Sequence, residues 1–424
     1  MCDDAYVKLL LDKIEKLENH IKELEKRLSL YENPHTPPSR RPYPTRPAGC
    51  SRGKPGQKKG HNGTTRPVAK PDRTIELTSG SCPYCGCVPR FINVESRIIE
   101  DVPKIRQKTV TEFLISHYHC DHCGRDIVPT HPELPKTGRM GKNVTAEANV
   151  MKFCDRMTYD KISSAMARHG MDISSATILD LARRATNAMR PEYERILGRI
   201  RSAKVVYADE TGIKVNGKRC WIWVFTTGKD VLIVVANSRG GDVIEKTLGK
   251  DFSGVLVCDG WKPYPGFTKN IQRCWAHLLR EADCLAERHE EAAGMAKELH
   301  FMFSECNRVL GENPSMKRRR RLWDFMSVYM KRLASMEYGP GPVRKFAGKI
   351  ANGLGYWFTF VINPGVEPTN NIAERALREH VVHRKIIGTL RNEKGMRIHE
   401  TMMSVMQTHQ NMGLNPYDEL LKVL

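Results

Sequence analysis

The 424-residue sequence predicts a multidomain α/β protein, and three observations carry that reading. The length exceeds what one compact core holds and fits two to four modules. The apolar periodicity changes along the chain, from heptad spacing to helical spacing and then, after Arg201, to short runs of strand length. A Pro-, Gly- and Lys/Arg-rich stretch from Thr36 to Pro71 separates the first of these regions from the rest.

The N-terminal element is a helix over residues 6–31. Leu10, Ile14, Leu17, Ile21, Leu24, Leu28 and Tyr31 alternate steps of four and three with charged residues between them, which suits a parallel two-stranded coil. An amphipathic helix docked on its own protein is the alternative. Asn33-Pro34 stops the helix. In the linker that follows, ten Lys or Arg against one acid, Asp72, stand between Arg40 and Arg73. Such a segment buries little and neutralises phosphates without reading bases, Lys58 and Lys59 among its cations; a plain solubilising linker is the other reading.

Residues 77–128 hold Cys82-Pro-Tyr-Cys85-Gly and Cys120-Asp-His-Cys123-Gly. Two Cys-x-x-Cys knuckles, each followed by glycine, make a tetrahedral thiolate site for structural Zn²⁺. Cys87, His117, His119 and His122 are competing donors nearby. The other nine of the 13 cysteines are scattered, which argues for reduced thiols and a metal site instead of disulfides. Residues 143–188 read as helical, and Thr158–His169, Gly170 and Ser174–Ala188 outline a helix-turn-helix. Ser174 is the candidate N-cap, and Arg183 and Arg184 stand on the second helix as candidate DNA contacts. A plain helical connector fits the same pattern.

After Arg201 come three strand candidates, Lys204–Ala208, Cys220–Thr226 and Val231–Ala236. A short helix over Asp242–Leu248, a strand over Gly254–Cys258, a strand at Ile271–Trp275 and a helix through Leu278–His289 follow. This is the element order of a ribonuclease-H-like core, in which one carboxylate ends the first strand and another ends the fourth beside it. Asp209 and Asp259 fall at those ends, and Glu374 lies on a helix from Asn371 onward. Singly, Asp209 and Asp259 read as turn residues and Glu374 as a capping-box glutamate. Jointly they supply the hard oxygen donors that two Mg²⁺ (or Mn²⁺) ions need for phosphodiester chemistry. Arg378 and Lys385 share a face with Glu374 and would grip phosphates; Arg384 points off that face and ranks below Lys385. His383, Arg391, Lys394 and Arg397 extend the basic surface. A basic helical insertion occupies about residues 290–350, and Cys274 and His277 read as core packing or site lining.

The partition is thus 1–33 coiled coil, 34–76 basic linker, 77–130 zinc-ribbon-like module and 140–200 helical DNA-binding region. The α/β core then spans 201–400 with its insertion, and 401–424 is a helical tail. A net charge of +20 points to a polyanionic partner. No run approaches the roughly 20 apolar residues of a membrane span, and the charged N-terminus is unlike a signal peptide, so a cytoplasmic, nucleoid-associated protein is expected.

The chain resembles the transposases of the insertion sequence 66 family over almost its whole length. The resemblance rests on the N-terminal coil, Pro37-Pro38-Ser39, Lys54-Pro-Gly-Gln-Lys-Lys-Gly-His61 and the paired cysteine knuckles. Ala208-Asp-Glu-Thr211, Cys258-Asp-Gly-Trp261, Cys274-Trp-Ala-His277 and Glu367-Pro-Thr-Asn-Asn-x-Ala-Glu-Arg-x-Leu-Arg378 complete it. It implies that Asp209, Asp259 and Glu374 are the family's DDE triad, acting on element ends and target DNA. It also implies a helical insertion before the glutamate and accessory proteins encoded beside the gene. Homodimers or larger assemblies through the coil are expected. Where the family usually has a Ser-Ser-Lys-Pro-Pro type string, this chain has Asn33-Pro-His-Thr-Pro-Pro38. A nuclease that cuts without joining, and a non-catalytic zinc-bearing DNA-binding protein, are the competing readings.

Overall fold

The computed structural model describes residues 14, 15, 17–21, 23, 74, 75, 84–88, 90, 108–135, 138–339 and 341–424. Two units divide the chain, one of Met1–Thr36 with Lys108–Leu424 and one of Pro37–Gln107. Of the N-terminal heptad, Ile14, Leu17 and Ile21 are helical and more than half exposed. Leu10, Leu24, Leu28 and Tyr31, like Lys58, Lys59 and Cys82, lie outside the described residues. In the Pro37–Gln107 unit, Tyr84 and Cys85 form a turn followed by Gly86 at φ +76°.

Within Lys108–Leu424 the first strands form a hairpin, β1 (Tyr118–Cys120) and β2 (Arg125–Ile127). Three helices follow, α1 (Lys142–Phe153), α2 (Tyr159–Ala167) and α3 (Ser175–Arg201). Thr158 and Ser174 cap α2 and α3 by accepting the N–H groups of Lys161 and Thr177, as short hydroxyl side chains at N-caps do. Helix α3 is longer than the sequence suggests. Its second half buries Met189, Tyr193, Ile196 and Ile200 in the same cluster as the sheet, so 140–200 and the sheet form one body.

The sheet has five strands: β3 (Val205–Val215), β4 (Lys218–Thr226), β5 (Val231–Ala236), β6 (Val255–Cys258) and β7 (Ile271–Arg273). Its order is β5-β4-β3-β6-β7; the first three strands are antiparallel neighbours, and β6 and β7 continue parallel to β3. The element order read from the sequence is present, with α4 (Gly241–Leu248) between β5 and β6. One boundary needs correction: β3 does not stop at Ala208 but runs seven residues further, so Asp209 sits mid-strand. The cause is Asn216-Gly217, both at positive φ, which close a two-residue hairpin of the type that matches strand twist and pairs Val215 with Lys218.

Strand alternation sorts the side chains. Val206, Ala208, Leu256 and Cys258 enter one buried cluster; Tyr207 and Val257 enter a second. The second is built with α6 (Trp275–Ala286), which follows the short α5 (Pro263–Phe267), and with α7 (Glu291–Gly311), α8 (Met316–Ala334), α9 (Pro342–Ala351) and α10 (Thr359–Ile362). Trp275 and Trp357 anchor it, the indole N–H of Trp275 donating to the Trp357 carbonyl at 2.6 Å. Helix α11 (Asn371–Ile387) then returns to β3 and β4.

Helices α12 (Glu393–Asn411) and α13 (Pro416–Val423) end the chain. Residues 401–411 are not a tail. Thr408 Oγ1, Ser404 Oγ and Glu400 Oε1 accept the outward N–H groups of Val231, Ile233 and Val235 at 3.0, 2.8 and 2.6 Å. Four helical residues rise about 6 Å, close to the advance of two strand residues, so the i, i+4, i+8 stripe tracks alternate strand positions. The edge of β5 is thereby covered. No helix among the described residues is long and apolar enough to cross a membrane.

Candidate active site

The parallel pairing of β3 and β6 ends at Tyr207 with Val257. Asp209 and Asp259 each stand two residues beyond it, where β6 ends and β3 continues paired with β4 alone. Asp209 Oδ1 accepts the Glu210 N–H at 2.9 Å, and Asp259 Oδ1 accepts the Trp261 N–H at 2.8 Å in a tight turn. Burial, then the charges of Glu210, Asp259 and Glu374, hold the Asp209 carboxyl well above its usual range. Crowded carboxylates of this kind suit a hard divalent cation, which favours oxygen donors and offsets their repulsion.

Glu374 reaches the strand ends because the turn before α11 is pinned. The Glu367 N–H donates to the Tyr207 hydroxyl at 3.3 Å, and the Pro368 carbonyl accepts the Trp275 N–H at 3.0 Å. Asn370 is fully buried; its N–H meets Cys274 Sγ at 3.1 Å and its side-chain amide donates to the Ala208 carbonyl at 2.8 Å. The N-cap is Asn370, with no side-chain cap bond, so Glu374 is not the glutamate of a capping box. Its Oε1 is buried without a hydrogen-bond partner and stands 3.5 Å from His277 Nδ1. Cys274, His277 and Glu374 each place one donor atom within 4.8 Å of the others. Cys274 and His277 therefore line the site.

Two further residues, Glu210 and Lys349, join the site only in the folded chain. Alternation in β3 turns Glu210 away from Asp209, into a buried position where Arg239 and the Tyr264 hydroxyl donate to it at 2.8 and 2.7 Å. Arg239 is itself stacked between Trp221 and Trp261, at 4.7 and 4.0 Å from the ring centroids. Burial first, and the Asp259 charge second, raise the Glu210 pKa, so it serves structure more readily than ion binding. The adjacent acids of Ala-Asp-Glu, read on a strand, carried the signal for this division. Lys349 comes from the insertion: it pairs with Glu281 of α6, and its Cε lies 3.4 Å from where a Cβ on Gly260 would stand. No local pattern announces it.

The candidate phosphate contacts are placed unevenly. Arg378, Lys385, Arg391, Lys394 and Arg397 are exposed. Arg384 donates to Thr211 Oγ1 at 3.2 Å and to the Gly212 carbonyl, bonds that hold α11 to β3. His383 does not extend the basic surface. It is 1% exposed and stacked on His399, and burial pushes its pKa down to about 4, so it is neutral. Arg183 is exposed on α3, whereas Arg184 forks onto Asp180 at 2.9 and 3.2 Å.

Cys120 ends β1, and Cys123 lies in the turn that follows. Gly124, at φ +64°, donates its N–H to the Cys120 carbonyl at 2.8 Å. The Cys123 N–H, then its thiol, then the His122 N–H lower the Cys120 pKa. A turn aiming N–H groups at sulfur is suited to a thiolate ligand.

A family model described as "Transposase IS66 family" matches residues 137–398. Similar proteins from Sinorhizobium fredii (strain NBRC 101917 / NGR234) include the uncharacterized protein y4jD, 23% identical over 389 residues, 83% of this chain and 76% of that protein. The uncharacterized protein y4hP is 23% identical over 412 residues, 85% of this chain and 74% of its own length. The uncharacterized protein y4qI is 23% identical over 344 residues, 71% of this chain and 62% of its own, so less than two thirds of it is spanned.

Proposed function

The chain belongs to the IS66 family of transposases, and from that premise we propose a DNA-cutting and strand-transferring enzyme with a ribonuclease-H-like core. Asp209, Asp259 and Glu374 are its catalytic carboxylates. The observation that carries the reading is their convergence from β3, the end of β6 and the first turn of α11, with Glu374 Oε1 buried and without a hydrogen bond. These three residues would hold two Mg²⁺ (or Mn²⁺) ions, which supply activation of the attacking oxygen and stabilisation of the leaving one.

The chain's own residues bind and align the DNA. Arg378 and Lys385, on the exposed face of α11, take the phosphates flanking the scissile bond, and Lys349 offers a third cation beside Asp259-Gly260. A water oxygen attacks phosphorus in line and the bond to the 3′ oxygen breaks, leaving a free 3′-hydroxyl on the element end. That hydroxyl attacks a target phosphodiester, a new P–O bond forms, and the target strand's own 3′ oxygen leaves with a proton. Orientation by the strand ends contributes most of what the protein adds. The N-terminal coil pairs protomers, and the basic linker with Lys58 and Lys59 holds DNA non-specifically. Cys82, Cys85, Cys120 and Cys123 bind structural Zn²⁺, and the α2–α3 pair with Arg183 and Arg184 contacts element ends.

The test is cleavage of labelled element-end DNA by the purified full chain with Mg²⁺. Nicking by the wild type and its loss in a folded Asp259→Asn protein supports the triad. Equal nicking by both sinks it.

A further inference from the structure

We propose that Cys274, His277 and Glu374 form a site for Zn²⁺ that takes Glu374 away from the catalytic carboxylates and so holds the enzyme inactive. Binding stands on these residues alone; the inhibitory consequence rests on the function proposed above. The three donors come from two elements joined at one point. Cys274 is the N-cap of α6, His277 lies one turn into that helix, and Glu374 lies in the first turn of α11. The Asn370 bond to Cys274 Sγ fixes the approach of the two helix starts.

The spacing fits a four-coordinate ion. Ligands at 2.0–2.2 Å from a tetrahedral centre stand about 3.4 Å apart. His277 Nδ1 and Glu374 Oε1 are 3.5 Å apart, and Cys274 Sγ lies within 4.8 Å of one donor atom on each of these residues. Nitrogen, sulfur and one carboxylate oxygen are the donors of a borderline ion, whereas Mg²⁺ takes oxygens. Burial pushes the Cys274 thiol up to about 11, and the backbone N–H groups of Asn370, His277 and Ala276 that point at Sγ act against it, the kind of outer contact that steadies a metal-bound thiolate. Cys274 is 2% exposed, so the sulfur is shielded from oxidants. Binding displaces the thiol proton to solvent, and three protein ligands leave the fourth position for water.

The direct test is equilibrium dialysis of the full-length protein against buffered free Zn²⁺, with bound metal counted for wild type, Cys274→Ser, His277→Ala and Glu374→Gln. Circular dichroism and thermal melts of each protein accompany the count. Wild type carries one equivalent more than each folded variant, whatever the cysteine knuckles hold in all four. Equal counts in wild type and every folded variant overturn the proposal; Glu374→Gln, at a half-exposed position, keeps one arm informative if Cys274→Ser unfolds. In the nicking assay, added Zn²⁺ suppresses wild-type cleavage in Mg²⁺ at least tenfold and His277→Ala resists it. A protein that binds the extra equivalent yet nicks nothing keeps this site and removes only the proposed activity.

Discussion

Asn370 donates its side-chain amide to the carbonyl of Ala208 across 2.8 Å, tying the residue before Asp209 to the helix start that carries Glu374. One side chain thus sets the distance between two carboxylates that are 165 positions apart in sequence. Replacing it tests whether that geometry matters. Asn370→Asp turns the donor into an acceptor facing a carbonyl. We expect a stability loss of about 1–3 kcal/mol by urea unfolding, from an unmade buried hydrogen bond. The single-turnover cleavage rate should fall by far more than such destabilisation explains, because all of the folded protein has Glu374 misplaced.

Glu210 offers the contrasting case, a carboxylate beside Asp209 that supports the fold. Glu210→Ala leaves Arg239 and the Tyr264 hydroxyl without their acceptor. Breaking such a pair from one side costs about 3 kcal/mol, whereas Tyr264→Phe removes one hydrogen bond and costs about 1–2 kcal/mol. Unfolding midpoints of the two variants, measured beside wild type, check the order. Equal midpoints for Glu210→Ala and wild type refute the assignment.

Three histidines make stability depend on pH. Burial pushes His380 down to about 3, His383 to about 4 and His399 well below its usual value. His380 meets His399 at 3.1 Å and Gln407 at 3.3 Å, and the cations Lys152 and Arg156 face His383. The unfolded chain protonates as pH falls through about 6.5 while the folded protein stays neutral, so stability is full above that pH and falls below it. Each histidine contributes up to about 1.4 kcal/mol per pH unit in that window. Glu400, raised to about 7 by burial, acts in the opposite sense. The comparison is therefore between proteins: His383→Gln loses less stability than wild type between pH 6.5 and 5, read from urea midpoints at both.

The stripe on α12 predicts local protection. Ser404→Ala and Thr408→Val orphan the N–H groups of Ile233 and Val231, at about 1–3 kcal/mol each. Amide exchange at Ile233 should quicken in Ser404→Ala while β3 amides exchange as before. Uniform acceleration across the sheet would mean that α12 acts only through global stability.

The α/β core that carries the candidate site is largely legible in the sequence because its signals are local. Val231–Ala236 and the run ending at Cys258 are continuous apolar strands, and Asn371 onward has helical period, so their elements follow from nearest neighbours. The end of β3 is not legible there, because Asp-Glu-Thr-Gly reads as a turn. Pairing with β4 through Asn216-Gly217 overrides that local preference.

The sequence by itself determined the local elements and the candidates they carry: two aspartates on or after apolar strands, a helical glutamate, paired cysteine knuckles and a run of basic residues. Tertiary structure alone decided which of them meet. Asn370 joins α11 to β3, the insertion brings Lys349 over Gly260, and α12 becomes the cover of β5 instead of a tail. It also made His383 a neutral core residue and turned Arg384 inward onto β3. The physical reason is one of range. Period and turn chemistry act over a few residues, whereas burial, desolvation and the partner of each polar group are set by segments far away in the chain.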